Sequence, residues 1–220
     1  MSGGSNRDCE GICLASQYVH VVDDDREVRR SLSFMLGSSQ FQSRPFASGS
    51  DLVESLDELQ PGCVLLDIRM PDMDGFQVMA ELHERGVDWP VVVMTGHGEV
   101  PVAVRAMKAG AVDFLEKPFE EDVLLGSLDR AFGLLKERGE KAERRRAAES
   151  RLALLTLREC EVLRGLMAGM PNKALARRLD ISLRTVEMHR ANMMERLQVG
   201  SLAEALTLAV QAGVEPLAEE

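Results

Sequence analysis

Six side chains in the first half of the sequence could together carry out phosphoryl chemistry. They are three adjacent acids, a further acid, a hydroxyl and an amine: Asp23, Asp24, Asp25, Asp67, Thr95 and Lys117. Clustered carboxylates repel one another unless a cation lies among them, and oxygen ligands without His or Cys favour a hard ion such as Mg²⁺. A carboxylate nucleophile, such an ion, and Lys and Thr groups for the phosphoryl oxygens would suit phosphoryl transfer.

The elements that must position these residues alternate between short apolar runs and longer amphipathic stretches, up to about residue 138. The predicted strands are residues 18–22, 41–46, 63–66, 91–94 and 113–116. The predicted helices are residues 27–36, 51–59, 76–85, 102–109 and 120–136. This alternation predicts an α/β fold, a (βα)5 doubly wound parallel sheet. Ligands of such sheets bind outside the carboxyl ends of the strands, where the six residues would meet.

From residue 152 onward the pattern is wholly helical. Helices are predicted at residues 158–168, 172–179, 183–197 and 201–211. Asn172 and Ser201 are predicted N-caps, and Ser182 or its neighbour would cap the third of these helices. Two short helices around a tight turn, between supporting helices, predict an all-α four-helix helix-turn-helix domain. The predicted organisation is a disordered leader (1–16), an α/β domain (17–132), a helical linker (133–151), the helix-turn-helix domain (152–214) and an acidic tail (215–220).

Charge and cysteine content narrow the possible functions. The net charge is −10, but residues 1–132 carry −12 and residues 151–196 carry +4, so an acidic domain precedes one basic enough to meet nucleic acid. No apolar run reaches the length of a membrane span, and the N-terminus lacks the apolar core of a secretory signal. Scattered cysteines suit a reducing cytoplasm, with Cys63 and Cys160 in apolar patterns and a redox or metal role for Cys9 and Cys13 left open.

The stretches HVVDDD, LLDIRMPDMDG and VVVMTGHGEVPVAVRAMKAGAVDFLEKPFE resemble the receiver domains of two-component response regulators, more narrowly the FixJ type. The resemblance implies that a sensor histidine kinase phosphorylates Asp67. It implies an Mg²⁺ site made by Asp23, Asp24, Asp67 and the main-chain carbonyl of Arg69. Thr95 and Lys117 would hold the phosphoryl oxygens.

The same resemblance implies a conformational switch and a dimer surface. Phe114 would turn inward when Thr95 moves, and Lys117-Pro118 is a candidate cis peptide. Phosphorylated chains would pair through the surface formed by residues 102–108 and Phe114. Val104 and Lys108 are the predicted contacts there, with ordinary packing and solvation as the alternative for both.

In the second domain, PNKALARRLDIS and RTVEMHRANMMERL resemble LuxR-type (NarL-type) DNA-binding domains. The resemblance implies a recognition helix at residues 183–197 in the major groove of promoter DNA. The residues expected to face DNA are Arg184, Thr185, Glu187, Met188, and Arg190 or Ala191. Lys173 and Arg177 or Arg178 are expected to contact phosphates, and His189 to contact a phosphate or lie at an interface.

These observations predict a cytoplasmic transcription factor that dimerises on phosphorylation, with RNA polymerase as a further partner and no membrane. Its only catalysis would be self-phosphorylation from small donors and autodephosphorylation. The bulky Arg69 and His97 would hinder water and make the phospho-state long-lived. Alternatives are a DNA-binding regulator that acts without phosphorylation, a protein- or RNA-binding adaptor, and an Mg²⁺-dependent phosphotransferase or phosphatase. The last would need a second Asp where Arg69 stands.

Overall fold

The computed structural model describes residues 17–96 and 100–218. The chain divides into two compact units, one up to Lys136 and one from Glu137 onward. The predicted leader with Cys9 and Cys13, His97, and the last two residues of the predicted tail lie outside the described residues. Within the described residues, no helix is both long and apolar enough to cross a membrane.

The first unit contains one sheet of five strands, all parallel. The strands are β1 (Tyr18–Val22), β2 (Gln42–Phe46), β3 (Gly62–Asp67), β4 (Val91–Thr95) and β5 (Asp113–Glu116). Their order across the sheet is β2-β1-β3-β4-β5. β1, β3 and β4 are almost wholly buried, as the apolar runs without polar alternation predict for a sheet covered on both faces. The predicted α/β fold class is confirmed.

The helices of this unit cover both faces of the sheet. They are α1 (Arg26–Ser38), α2 (Gly49–Ser55), α3 (Gly75–Glu84), α4 (Val100–Lys108) and the start of α5 (Glu121–Leu152). On β3, Leu65 packs in the same core as α1 and α5, whereas Leu66 packs in the core that includes α2 and α3. The predicted second helix is interrupted, since its last residues, Leu56–Glu58, form a 3₁₀ turn.

Helix α5 continues without a break through the predicted linker. That segment has few apolar side chains, but pairs one turn apart, Glu140 with Arg144 and Arg145 with Glu149, support the helix. Its last turn carries apolar groups that pack inward: Ala148 is buried, and Leu152 lies against the core of the second unit.

Four further helices complete the second unit: α6 (Leu157–Met167), α7 (Asn172–Arg178), α8 (Leu183–Arg196) and α9 (Leu202–Gln211). Ser182 and Ser201 cap α8 and α9 through their side chains, as predicted. The prediction for Asn172 was wrong. Pro171 occupies the N-cap of α7 without a side-chain bond, and the Asn172 amide oxygen instead accepts a bond from Arg190 at 2.9 Å.

An aromatic pair joins the middle of β1 to the segment just before β4, away from the strand ends that carry the acids. The ring of His20 on β1 is fully buried and stacks on Trp89 at a centroid distance of 4.9 Å. Its Nε2 lies 3.0 Å from the carbonyl oxygen of Gln60. Burial lowers the pKa of His20 below its ordinary value, which favours the neutral ring.

Candidate phosphoryl-transfer and DNA-binding sites

Two acids and a lysine meet at the carboxyl ends of β1, β3 and β5. The Lys117 Nζ lies 2.5 Å from Oδ2 of Asp23 and 2.5 Å from Oδ1 of Asp67. Asp23 is 1% exposed and Asp67 is 6% exposed. Thr95, the last residue of β4, lies beside them and is also buried. Its main-chain carbonyl oxygen accepts a hydrogen bond from the Lys117 N–H at 2.8 Å. The Lys117-Pro118 peptide is cis, as predicted.

The electrostatics of this cluster reflect competition between burial and pairing. Burial raises the pKa of Asp67 above its ordinary value, and the hydrogen bond and charge of Lys117 offset only part of that effect. Burial also lowers the pKa of Lys117, but the hydrogen bonds to Asp23 and Asp67 outweigh it and leave the pKa raised. The raised pKa favours the charged form of Lys117 between the two carboxylates.

Main-chain groups hold each acid in place. Oδ1 of Asp23 accepts the N–H of Asp25 at 2.9 Å, and Asp25 in turn caps α1. Oδ2 of Asp67 accepts the N–H of Arg69 at 2.7 Å. Gly75, the first residue of α3, lies so close to this loop that a Cβ there would be 2.6 Å from the Asp67 carbonyl oxygen. The start of α3 therefore packs tightly against the end of β3, which carries Asp67.

The donor set suits a hard cation. Among the described residues, no three His, Cys, Asp or Glu side chains are close enough to form a metal site by themselves. Two buried carboxylates are present, with the predicted third, Asp24, exposed beside them. Mg²⁺ usually binds through one or two carboxylates and keeps several waters, so this arrangement fits it.

The predicted switch and dimer residues lie on the side of the sheet that carries α4. Phe114 is half-buried against the core of that face. Val104 is 47% exposed and Lys108 is also exposed. Met107 lies within the predicted surface of residues 102–108 but was not named as a contact, although it is 50% exposed on the same helix. Its spacing of three positions from Val104 was the available signal.

Helix α8 presents several side chains to solvent in the second unit. Arg184, Glu187 and Met188 are exposed, whereas Thr185 and His189 are half-buried. In contrast, Val186, Met193 and Leu197 are fully buried.

The residues for which the sequence left alternatives differ in exposure and hydrogen bonding. Arg177 is exposed on α7, as is Lys173 one turn earlier. Arg178 instead donates to the carbonyl oxygen of Ala218 at 2.8 Å. Arg190 is half-buried and hydrogen-bonded to Asn172. Ala191, the alternative to Arg190 as a residue facing DNA, is exposed.

The C-terminal segment was predicted to be a separate acidic tail, yet its described part is bonded to the helices. The Leu217 N–H donates to the Arg164 carbonyl oxygen at 3.1 Å, and Arg164 Nε donates to the Glu215 carbonyl oxygen at 2.9 Å. No sequence pattern signals such contacts, because they depend on main-chain atoms far apart in the chain.

Known protein families match both domains of the chain. Residues 19–129 match the response regulator receiver domain, and residues 153–209 match the LuxR family of bacterial regulatory proteins. The chain belongs to the response regulator family. It is 42% identical over 197 residues to the transcriptional regulatory protein FixJ of Bradyrhizobium diazoefficiens, covering 90% of this chain and 96% of that protein.

Solved structures of response regulators share the fold. The structure of StyR matches with a TM-score of 0.75 and 40% identity, covering 90% of this chain and 100% of that one. Full-length FixJ from B. japonicum matches with a TM-score of 0.56 and 42% identity, covering 90% of this chain and 97% of that one.

This regulator is therefore FixJ-like, with a receiver domain and a LuxR-type DNA-binding domain, and it regulates transcription. A receiver domain implies a histidine kinase partner, and a LuxR-type domain implies DNA binding. A response regulator with a DNA-binding domain is not a classical enzyme, which sets aside the phosphotransferase or phosphatase alternative. The LuxR-type match sets aside the alternative of a protein- or RNA-binding adaptor.

Proposed function

We propose that Asp67 accepts a phosphoryl group from a sensor histidine kinase in an Mg²⁺-dependent reaction, and that phosphorylation promotes receiver pairing and binding to promoter DNA. The observation that carries the proposal is the position of Lys117, whose ammonium group lies between the buried carboxylates of Asp67 and Asp23. An ammonium so placed can neutralise an incoming phosphoryl group.

The metal would be held by Asp23 and Asp67, with Asp24 and the main-chain carbonyl of Arg69 as the remaining protein ligands. When bound, Mg²⁺ would neutralise charge on the phosphoryl oxygens. The Lys117 pairing supports this assignment, because buried carboxylates without positive charge beside them would be costly.

Within the protein, each residue has a separate task in the transfer. The Asp67 carboxylate would form the new O–P bond as the P–N bond of a phosphohistidine breaks. Lys117 and the hydroxyl of Thr95 would then hold phosphoryl oxygens. Movement of Thr95 toward those oxygens would vacate space that the half-buried Phe114 could enter, altering the surface that carries α4.

Receiver pairing would raise DNA affinity without any new base contact, since two linked half-sites bind more tightly than one. Exposed apolar groups on α4 support pairing there, with Val104 and Lys108 as contacts. The residues of α8 that would contact DNA are Arg184, Thr185, Glu187, Met188, His189 and Ala191. Lys173 and Arg177 would grip phosphates.

The protein would act in the cytoplasm, with RNA polymerase as a further partner at the promoter. The free thiols of Cys63 and Cys160 are consistent with a reducing compartment.

The test compares the wild type with Asp67→Asn, with and without acetyl phosphate and Mg²⁺. Oligomeric state and affinity for a duplex selected by the protein from a randomised pool are measured. We expect treatment to pair the wild type and tighten its binding, and to leave Asp67→Asn unchanged. Asp72→Asn is the matched control, because Asp72 is exposed in the same loop and Asn tolerates its positive φ of 68°.

A second variant separates phosphorylation from pairing. Val104→Glu should still accept the phosphoryl group but fail to dimerise, because it places a charge on the proposed interface. If the wild type and Asp67→Asn bind DNA equally with and without treatment, the protein is a regulator that acts without phosphorylation, and the proposed switch is wrong.

A further inference from the structure

The carboxyl end of helix α8, which carries the proposed DNA-reading residues, depends on partners from outside the helix. The helix ends at Arg196, and Gln198 follows with a positive φ of 52°. Main-chain bonds from Gln198 to Glu195 and from Val199 to Met194 satisfy two of the last carbonyl groups. The carbonyl groups of Leu197 and Gln198 lie beyond this set, and terminal carbonyls need donors from elsewhere.

Arg151, in the last turn of α5, supplies that donor. Its guanidinium donates to the carbonyl oxygen of Leu197 and, at 3.3 Å, to that of Gln198. A cation is stabilising at the carboxyl end of a helix, where the helix dipole is negative. The planar guanidinium can reach two carbonyl groups at once, which the single ammonium of a lysine does less well.

Two further contacts hold the same helix. The Arg196 Nε lies 3.2 Å from Oε1 of Glu159, a carboxylate that is 2% exposed near the start of α6. Toward the middle of α8, Arg190 bonds to Asn172 at the start of α7. The side of α8 with Arg184, Glu187 and Met188 is left exposed.

We propose that Arg151 is a positioning residue for base reading: it fixes the carboxyl end of α8 and thereby the angle at which the helix enters the groove. This inference rests on the proposed DNA-binding role of α8. It assigns the final turn of the linker helix to the DNA-reading apparatus, so that the linker acts directly on the helix that selects the sequence.

Loss of the Arg151 contact should affect sequence-specific and non-specific DNA binding differently. Phosphate contacts carry no sequence information, whereas base contacts require the recognition helix to lie at the correct depth and angle. Loosening the end of α8 should therefore weaken binding to the preferred sequence and leave binding to other DNA almost unchanged.

The test uses the full chain and two duplexes of equal length, one selected from a randomised pool by the wild type and one with the same bases shuffled. Arg151→Met keeps much of the side-chain length but removes the donors. We expect about a tenfold loss of affinity for the selected duplex, the scale of one charge-assisted hydrogen bond. The shuffled duplex should bind as before, with the same salt dependence.

Arg144→Met is the matched control, because Arg144 lies on the same helix and pairs only along it with Glu140 among its described contacts. It should bind both duplexes as the wild type does. Arg151→Lys should recover part of the loss, since its ammonium can still reach a carbonyl. If Arg151→Met does not fold, Arg151→Lys carries the test through a smaller loss confined to the selected duplex.

Three results would overturn the inference. Equal losses on both duplexes with a weaker salt dependence would make Arg151 a phosphate contact. Equal losses with unchanged salt dependence would indicate general damage to the domain. No loss on either duplex would mean that the contact does not position α8. Failure of the wild type to select any sequence would instead contradict the proposed DNA-binding role.

Discussion

The ammonium nitrogen of Lys117 lies 2.5 Å from Oδ1 of Asp67, so the proposed phosphoryl acceptor is already paired with a cation. The same nitrogen is equally close to Asp23. The lysine therefore already neutralises part of the negative charge that would attract a divalent ion. A bound Mg²⁺ and the Lys117 ammonium would also repel each other.

Replacing this lysine should strengthen metal binding. In Lys117→Met we expect Mg²⁺ to bind several-fold more tightly, because two buried carboxylates then lack their only described cation partner. Isothermal titration of the unphosphorylated protein measures the effect. Lys108→Met, which removes an exposed lysine on α4, is the control and should leave the affinity unchanged. Weaker binding in Lys117→Met would contradict the proposed metal position.

Gly75 should tolerate no larger residue. In Gly75→Ala the new Cβ would meet the Asp67 carbonyl oxygen at 2.6 Å and the Ile68 Cα at 3.0 Å. We expect the receiver domain to lose about 2 kcal/mol of unfolding free energy, the usual scale of overpacking. Gly133→Ala is the contrast: nothing lies within 4 Å of its Cβ in α5, so it should gain about 1 kcal/mol. Urea unfolding checks both, and a neutral Gly75→Ala would show that α3 can move.

The stability of the DNA-binding domain should depend on pH through Glu159. Burial alone would raise the pKa of Glu159, but its bonds to Thr156 and the charge of Arg196 outweigh that and lower it. A lowered pKa stabilises the fold above the ordinary pKa and stops doing so as pH falls through the lowered value.

Glu159→Gln should therefore cost about 1 kcal/mol at neutral pH, since the partner Arg196 is half-exposed. The difference from the wild type should vanish in acid. Urea unfolding at both pH values measures it, and Glu161→Gln, whose pair with Arg158 is exposed, is the control. A difference that persisted in acid would show that the effect is steric.

Neighbouring arginines on α7 should behave differently on DNA. In Arg177→Ala, the slope of the logarithm of non-specific affinity against the logarithm of salt concentration should become shallower by about 1 per subunit. This is the value for one lost phosphate contact. Arg178→Ala should not change it, because that guanidinium is bonded to Ala218. Binding measured over a range of salt concentrations decides this. Equal changes in slope would mean that Arg178 leaves Ala218 to meet DNA.

The lifetime of the phosphorylated state should depend on Arg69, which is exposed beside Asp67, and on His97. We expect Arg69→Ala combined with His97→Ala to release phosphate several-fold faster, because smaller side chains leave room for attack by water. Decay of radiolabelled phosphoryl protein measures the rate, with Arg85→Ala as a distant control. An unchanged rate would show that neither side chain shields the phosphoryl group.

Much of this architecture follows from local sequence patterns. β1 and β5 begin and end where the apolar runs predict, and Ser182 and Ser201 cap their helices as expected. The meeting of Asp23, Asp67 and Lys117 was predictable too, because parallel strands bring their carboxyl ends to one edge. Each of these features depends on neighbours in sequence or on a topological rule.

Contacts between distant polar groups could not be predicted in the same way. Asn172 has the chemistry of an N-cap, but Arg190, eighteen residues later, takes its amide oxygen. The engagement of Arg178 by Ala218 and of Leu197 by Arg151 likewise depends on how helices pack. Composition identifies such side chains as charged and helical, but not which carbonyl group each one reaches.

The stack of Trp89 on His20 gives the protein a built-in optical label. Trp89 is the chain's one tryptophan, so indole fluorescence reports on the receiver domain alone, whereas far-ultraviolet dichroism averages the helices of both domains. Following one denaturation by both signals would resolve the two unfolding transitions in the intact chain. Any difference between the midpoints would reveal which domain fails first, and whether phosphorylation reorders them.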